Sequence, residues 1–204
     1  MKKSILYVLL VAATFIHHAK AETTAVSDSF TAENFFRSGQ WEITMNAGPM
    51  FSPFIATGGR PTVNYIQGGI QIGYMLSDLR SDGWLRGNWE IVPEVFGSGI
   101  FDGNGTYATG TTLWFRYNFV PPMWRLIPYA QAGGGFTFTD IDRNVIGQNF
   151  NFNLDVAVGF RVLLAPNWSL NLEYRYEHIS DANLGGRNVG INAHGPMVGV
   201  SHFF

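Results

Sequence analysis

The sequence predicts an all-β fold, an eight-stranded antiparallel transmembrane β-barrel, and three observations carry the prediction. The 204-residue chain is 46% hydrophobic and 15% aromatic but only 14% charged, against roughly 25% charge in an average soluble domain. Beyond its first residues it has no unbroken apolar run of about 18 residues, the length a spanning helix needs. Apolar residues instead recur at every second position over long stretches, which is the period of a strand. A segment that is apolar only at alternate positions can face lipid on one side and a polar interior on the other, as barrel strands do.

Residues 1–21 read as a secretory signal peptide. Lys2 and Lys3 precede an apolar stretch from Ile5 to Ile16, and Ala19-Lys20-Ala21 places cleavage before Glu22. The chain contains no cysteine, which excludes a cysteine-borne lipid anchor, disulfides and thiol chemistry. Residues 22–40 lack the alternation and form an N-terminal extension, periplasmic or briefly helical. The barrel then occupies 41–204.

Its strands are expected near 41–52, 63–77, 84–97, 106–120, 124–138, 149–165, 167–180 and 193–204. In the second, Ile66, Ile70, Ile72, Tyr74 and Leu76 alternate with Gln67, Gly69, Gln71 and Gly73. In the third, Trp89, Ile91 and Val95 alternate with Asn88, Glu90 and Glu94, and in the fourth Leu113, Phe115, Tyr117 and Phe119 alternate with Thr112, Arg116 and Asn118. The sixth has the longest row, Phe150 through Leu164 at even positions, facing away from Asn151, Asn153, Asp155 and Arg161. In the seventh, Trp168, Leu170, Leu172, Tyr174 and Tyr176 oppose Asn171, Glu173, Arg175 and Glu177. The eighth ends on Val198, Val200 and Phe204 with one outward parity, a terminal aromatic that resembles the assembly signal of outer-membrane barrels; His202 interrupts its apolar row.

The links alternate in length. Pro121-Pro122-Met123 and Ala165-Pro166-Asn167 are tight, whereas Pro53 to Thr62, Gly97 to Gly105, Thr139 to Gln148 and Asp181 to Asn192 are longer and rich in Gly, Asn and Asp. Short periplasmic turns and longer external loops are the expected asymmetry. The seventh strand therefore runs outward, and its far end lies at the outer leaflet.

The net charge of −2 gives no indication of a nucleic-acid partner. Glu42, Glu90, Glu94, Arg116, Asp155, Arg161, Glu173, Arg175 and Glu177 share the inward parity. They form either a catalytic carboxylate set or a salt-bridge network; the narrow lumen of an eight-stranded barrel, filled by side chains, favours the network. His178, His194 and His202 are too scattered for a metal site, so neither metal nor other cofactor is expected.

His178 and Ser180 continue the apolar parity of the seventh strand. Side chains two apart share a face, with backbones roughly 6.6 Å apart at about 3.3 Å rise per residue. They read either as a base and a nucleophile facing lipid, or as an interfacial histidine followed by the first residue of a loop.

The stretch from His178 to Asn192 resembles the signature of the outer-membrane lipid A 3-O-deacylases, the PagL or acyloxyacyl hydrolase family. The resemblance extends to Trp114-Phe115-Arg116-Tyr117-Asn118-Phe119, to Pro128-Tyr129 with Gly133-Gly134-Gly135, and to Phe150-Asn151-Phe152. It covers most of the barrel and leaves out the extension before Trp41. It implies His178 as base and Ser180 as nucleophile, with Asn188 and Gly190 at the family's loop positions. Two departures stand out. Asp181 occupies a position where the family often has asparagine, near the expected oxyanion and substrate contacts. Asn192 occupies the place of the triad glutamate. An asparagine can orient the imidazole but cannot stabilise its charged form.

The resemblance implies an ester hydrolase of the outer membrane of a Gram-negative bacterium, acting without cofactor on lipid A of lipopolysaccharide. The alternative is a non-catalytic small barrel for adhesion or lipid binding; a pore is disfavoured by the polar filling. Homodimerisation and acyl-chain preference stay open at this stage.

Overall fold

A computed structural model describes residues 32–53, 61–186 and 188–204. The expected signal segment, residues 22–31 of the extension, the middle of the first long loop and Arg187 lie outside the described residues. The strands are β1 (Trp41–Met50), β2 (Asn64–Met75), β3 (Gly87–Asp102), β4 (Tyr107–Phe119), β5 (Leu126–Thr139), β6 (Phe150–Ala165), β7 (Trp168–Ser180) and β8 (Ile191–Phe203). Each pairs antiparallel with the next, and β1 closes on β8. Closure leaves no strand edge unpaired, which a lipid environment requires.

The alternation sorts residues as expected, with charge inside and apolar surface outside. Met45, Val95, Leu154, Val158 and Leu164 are each at least 60% exposed on the outer wall. Trp41, Trp84, Trp89, Trp124 and Trp168 are exposed around the end that carries the termini, the pattern of an interfacial aromatic belt.

The nine inward charged residues are buried and organised as a structural network. Arg116 donates to Glu42 at 2.9 Å; Arg161 bonds Glu42 and also reaches Glu90 at 3.1 Å. Arg175 pairs with Glu94 at 3.2 Å and with Glu173 at 2.9 Å. Tyr65 donates to Glu177, and Thr112 and Asn153 donate to Asp155. A cavity in this layer, bordered by Thr44, Gln71 and Glu173, measures about 10 Å³, room for about one water. The described side chains fill the lumen at this level.

Apolar clusters seal the network at both ends. At the loop end Met50, Val63, Tyr65, Ile179, Ile191 and Met197 pack with Ile141, Val145 and Ile146, the last two from a short helix α1 (Arg143–Ile146) capped by the Asp142 carboxylate. At the other end the extension supplies the seal. A 3-10 turn at Ala32–Asn34 delivers Phe35 and Phe36 against Phe203, with ring centroids 5.1 and 5.9 Å away. The Arg161 guanidinium lies over the Phe36 ring. Glu33 pairs with Arg86, and the Ser38 amide donates to Asp78. Part of the extension is thus a plug. Phe36→Ala is expected to cost about 3 to 5 kcal/mol, the usual penalty for emptying a buried phenylalanine site. Urea titration of the barrel in lipid vesicles measures it, and a loss under about 1 kcal/mol would make the plug dispensable.

Two strands, β3 and β8, differ from the sequence expectation in ways that bear on the site and its loops. β3 starts at Gly87 and runs to Asp102, because Gly97, Ser98 and Gly99 pair with Thr109, Ala108 and Tyr107; glycines that read as loop belong to a hairpin. β8 begins at Ile191, which is buried and paired with Ile179. Asn192 therefore sits on a strand and not in the loop.

Candidate active site

The register of β7 and β8 assembles the site. Parity turns His178 and Ser180 to the outer wall, since their neighbours Glu177 and Ile179 are buried inside. His178 lies directly opposite Asn192, and both are half-buried. The His178 Nδ1–H donates to the Asn192 Oδ1 at 2.6 Å. An amide oxygen accepting at Nδ1 fixes the tautomer and puts the imidazole lone pair on Nε2.

The loop that joins β7 to β8 returns beside this pair at Gly190. Asp181 is fully buried, and its carboxylate accepts from the Asn183 and Gly185 amides, both at 2.9 Å. Its side chain therefore shapes the loop. On the far side the loop leans on α1: the Val189 amide donates to the Val145 carbonyl, and Asn188 bridges to Ile146. The Asn188 side-chain Nδ2 donates to the Asn183 side-chain Oδ1 within the loop. A neighbouring anchor, Asp140, accepts from the Thr106 hydroxyl and from the Tyr107 and Thr106 amides, which holds its carboxyl below the usual range.

Gly190 ends the loop with φ +69°. A Cβ there would lie 3.2 Å from His178 Cε1 and 3.7 Å from the Ser180 Cβ. One backbone position thus borders both the imidazole edge and the serine. An L side chain would be strained by about 1 to 2 kcal/mol in that conformation and would press on the histidine. Gly190→Ala is accordingly expected to lower turnover at least tenfold while the barrel still folds, because small misplacements of reacting groups are costly. Unchanged kcat in a purified sample would show that the loop does not position His178.

His194 and His202 take no part in this set. Tyr174 hydrogen-bonds the His194 ring on the outer wall, and His202 packs against Trp168 with ring centroids 4.6 Å apart. Among the described residues no cluster of three or more His, Cys, Asp or Glu is arranged to hold a metal. The sequence had no local signal for the docking of α1 on the 181–190 loop, which is a contact between two loops more than 35 residues apart.

A closed eight-stranded barrel with an apolar outer wall and a His, Ser and Asn set at one rim is a small barrel of the outer-membrane type. More particularly, the chain matches the model of the lipid A 3-O-deacylase (PagL) family over residues 77–201, more than half its length, and it belongs to that family. The match begins after β2 and includes every residue of the site. Among solved structures it is similar to the outer membrane enzyme PagL, with 16% identity, TM-score 0.58, 78% of this chain and 97% of that one covered. Neisserial surface protein A is similar at 16% identity and TM-score 0.56, over 82% of this chain and 98% of that one. The N-terminal β-barrel domain of OprF from Pseudomonas aeruginosa aligns at 18% identity and TM-score 0.50, over 82% and 98% of the two chains. At these identities the likenesses show the fold. No protein of curated function matches the sequence.

Proposed function

We propose that the chain is an outer-membrane serine esterase that removes the 3-O-linked 3-hydroxyacyl chain of lipid A, with His178 as base, Ser180 as nucleophile and Asn192 orienting the imidazole. The observation that carries the reading is the hydrogen bond from His178 to Asn192 on the lipid face, two residues before Ser180 on the same strand. Family membership supplies the substrate class. The placement suits a lipid, because the acyl chains of the substrate already lie along the outer wall.

In this mechanism His178 Nε2 takes the Ser180 hydroxyl proton as the oxygen attacks the ester carbonyl. Donors on the loop around Asp181, Asn188 and Gly190 meet the oxyanion that forms. Collapse breaks the ester bond, and the sugar oxygen leaves with the proton from the imidazolium. A water, deprotonated by His178, then attacks the acyl-enzyme, releasing the hydroxy fatty acid and restoring Ser180. In this reading the chain is exported with loss of residues 1–21, and the loop end of the barrel, with His178 and Ser180, faces the outer leaflet.

Mass spectrometry of lipid A from a Gram-negative host expressing the chain tests the proposal. The expected result is lipid A lighter by one 3-hydroxyacyl group. Unchanged lipid A, with the barrel folded in the outer membrane, overturns it and favours a non-catalytic barrel.

A further inference from the structure

Two isoleucines lie on the inner face directly behind the proposed site. Ile179 stands between His178 and Ser180 in the chain, Ile191 between Gly190 and Asn192, and the two are register partners across β7 and β8. Both are buried in the apolar cluster at the loop end, and Val145 and Ile146 of α1 belong to the same cluster, although α1 arises from the connection between β5 and β6. The end of α1 also meets the β7–β8 loop through its backbone. The Val145 carbonyl accepts from the Val189 amide at 3.0 Å, and Ile146 bridges to Asn188. Gly147 comes so close that a Cβ on Gly185 would lie 3.0 Å from its carbonyl carbon. Residues 145, 146 and 147 thus run antiparallel against 189, 188 and 185, and the two loop residues before Gly190 are among those held. Gly190 in turn borders His178 Cε1 and the Ser180 Cβ.

We infer that α1 is a clamp that holds Gly190 against His178 and Ser180, and that Ile146 is the positioning residue that anchors the clamp. The inference rests on the proposed esterase reading and deepens it. A four-residue helix has no stability of its own, so the place of α1 is set by what it packs into. The loop cannot draw back from the imidazole edge without breaking its contacts with α1 or pulling α1 along, and α1 cannot lift without bringing the fully buried Ile146 into water, which the hydrophobic effect opposes. Cε1 lies between the two ring nitrogens, so a backbone seated against it fixes the edge of the imidazole along which the proton is taken up and returned. The clamp acts on the geometry of the reacting groups through Gly190 and not on the grip on substrate. Its signature is therefore in kcat and not in KM.

Matched deletions in the full barrel test the clamp. Ile146→Ala removes an isoleucine from the loop-end cluster, and Ile127→Ala removes an equally buried one from the cluster at the other end. With lipid A in detergent micelles, Ile146→Ala is expected to lower kcat about tenfold with KM unchanged, in keeping with the cost of small misplacements. Ile127→Ala keeps the kcat of the unaltered chain, and Ile146→Val, which retains most of the side chain, recovers it. Electrophoresis without heating restricts the comparison to folded barrels. Equal kcat for the two alanine variants, or a loss confined to KM, overturns the inference. Hydrogen exchange gives a readout without turnover: the Val189 amide is expected to exchange about tenfold faster in Ile146→Ala than in Ile127→Ala, through local opening, while the Arg175 and Glu177 amides do not change. A Val189 amide that exchanges at the same rate in both variants overturns the clamp. If the unaltered chain leaves lipid A intact, the esterase reading falls. Val189 exchange and the His178 Nδ1 proton signal, expected to broaden in Ile146→Ala alone, then decide the clamp by themselves.

Discussion

Replacing Ser180 by alanine is expected to leave lipid A with its full set of acyl chains in cells where the unaltered chain removes one. In the proposed mechanism the Ser180 oxygen is the atom that bonds the acyl group, His178 acts as its base and Asn192 holds the imidazole, so no other side chain of the proposed set takes its place. Loss of the nucleophile in a well-studied serine protease lowers kcat by about 10⁶, so residual activity should fall below detection. The barrel should be untouched. Ser180 is the last residue of β7, half-buried on the outer wall, and none of the inward contacts that close the lumen involves it. Substitutions at such positions usually change stability by less than about 0.5 kcal/mol. Electrophoresis without heating, which separates folded from unfolded barrels, checks this in the same cells. A folded Ser180→Ala chain that still trims lipid A would remove Ser180 from the mechanism.

The legibility of this site in the sequence follows from what a strand encodes locally. Parity along β7 put His178 and Ser180 on the outer wall and Glu177 on the other, because a period of two leaves each residue one choice of face. The same rule identified all nine lumen charges. Register is a different matter. That Asn192 faces His178 depends on where β8 begins, and the glycine-rich stretch before it reads as loop up to Asn192; the family resemblance, not the alternation, pointed to that partner. Gly97 to Gly99 read as loop for a similar reason, since a glycine carries no side-chain pattern yet pairs like any other residue. The plug of Phe35 and Phe36 was not legible at all. It is a short 3-10 turn without periodicity, and its aromatic residues find their place through Phe203 and Arg161, more than 120 residues away.

The division between wall and lumen also explains how the proposed reactive rim coexists with a rigid body. The buried ion pairs specify one arrangement of the strands, and breaking such a pair typically costs about 3 to 5 kcal/mol. The site makes no use of them. Its residues point away from the network, and the loop over them is fixed by local devices: the Asp181 carboxylate on two loop amides, the contact with α1 and the backbone of Gly190. Changes in the loop should therefore alter turnover with little effect on the lumen.

Asn192 separates two contributions that an acidic third member would combine. Its oxygen already accepts the Nδ1 proton at 2.6 Å, so orientation and tautomer are in place; what it lacks is a charge to stabilise the imidazolium in the transition state. In a serine protease the change from aspartate to asparagine costs about 10⁴ in kcat, largely through the wrong tautomer. The tautomer here is the right one, so the gain from restoring an acid should be smaller, about 10- to 100-fold, and should appear in kcat with KM unchanged. Asn192→Asp keeps the shape and adds the charge. Asn192→Glu adds the charge on a longer side chain that must bend to reach a residue directly across the strand pair, and its gain should be the lesser of the two. The position lies near the rim, where a charge on the outer wall of a barrel costs only about 0 to 1 kcal/mol, so both variants should fold. Asn192→Ala removes orientation as well and should fall at least tenfold below the unaltered chain. Rates of lipid A deacylation by the purified barrels distinguish the cases. An alanine variant as active as the original would mean that His178 is held by something else, and an aspartate variant no faster would mean that a step other than ester cleavage limits turnover.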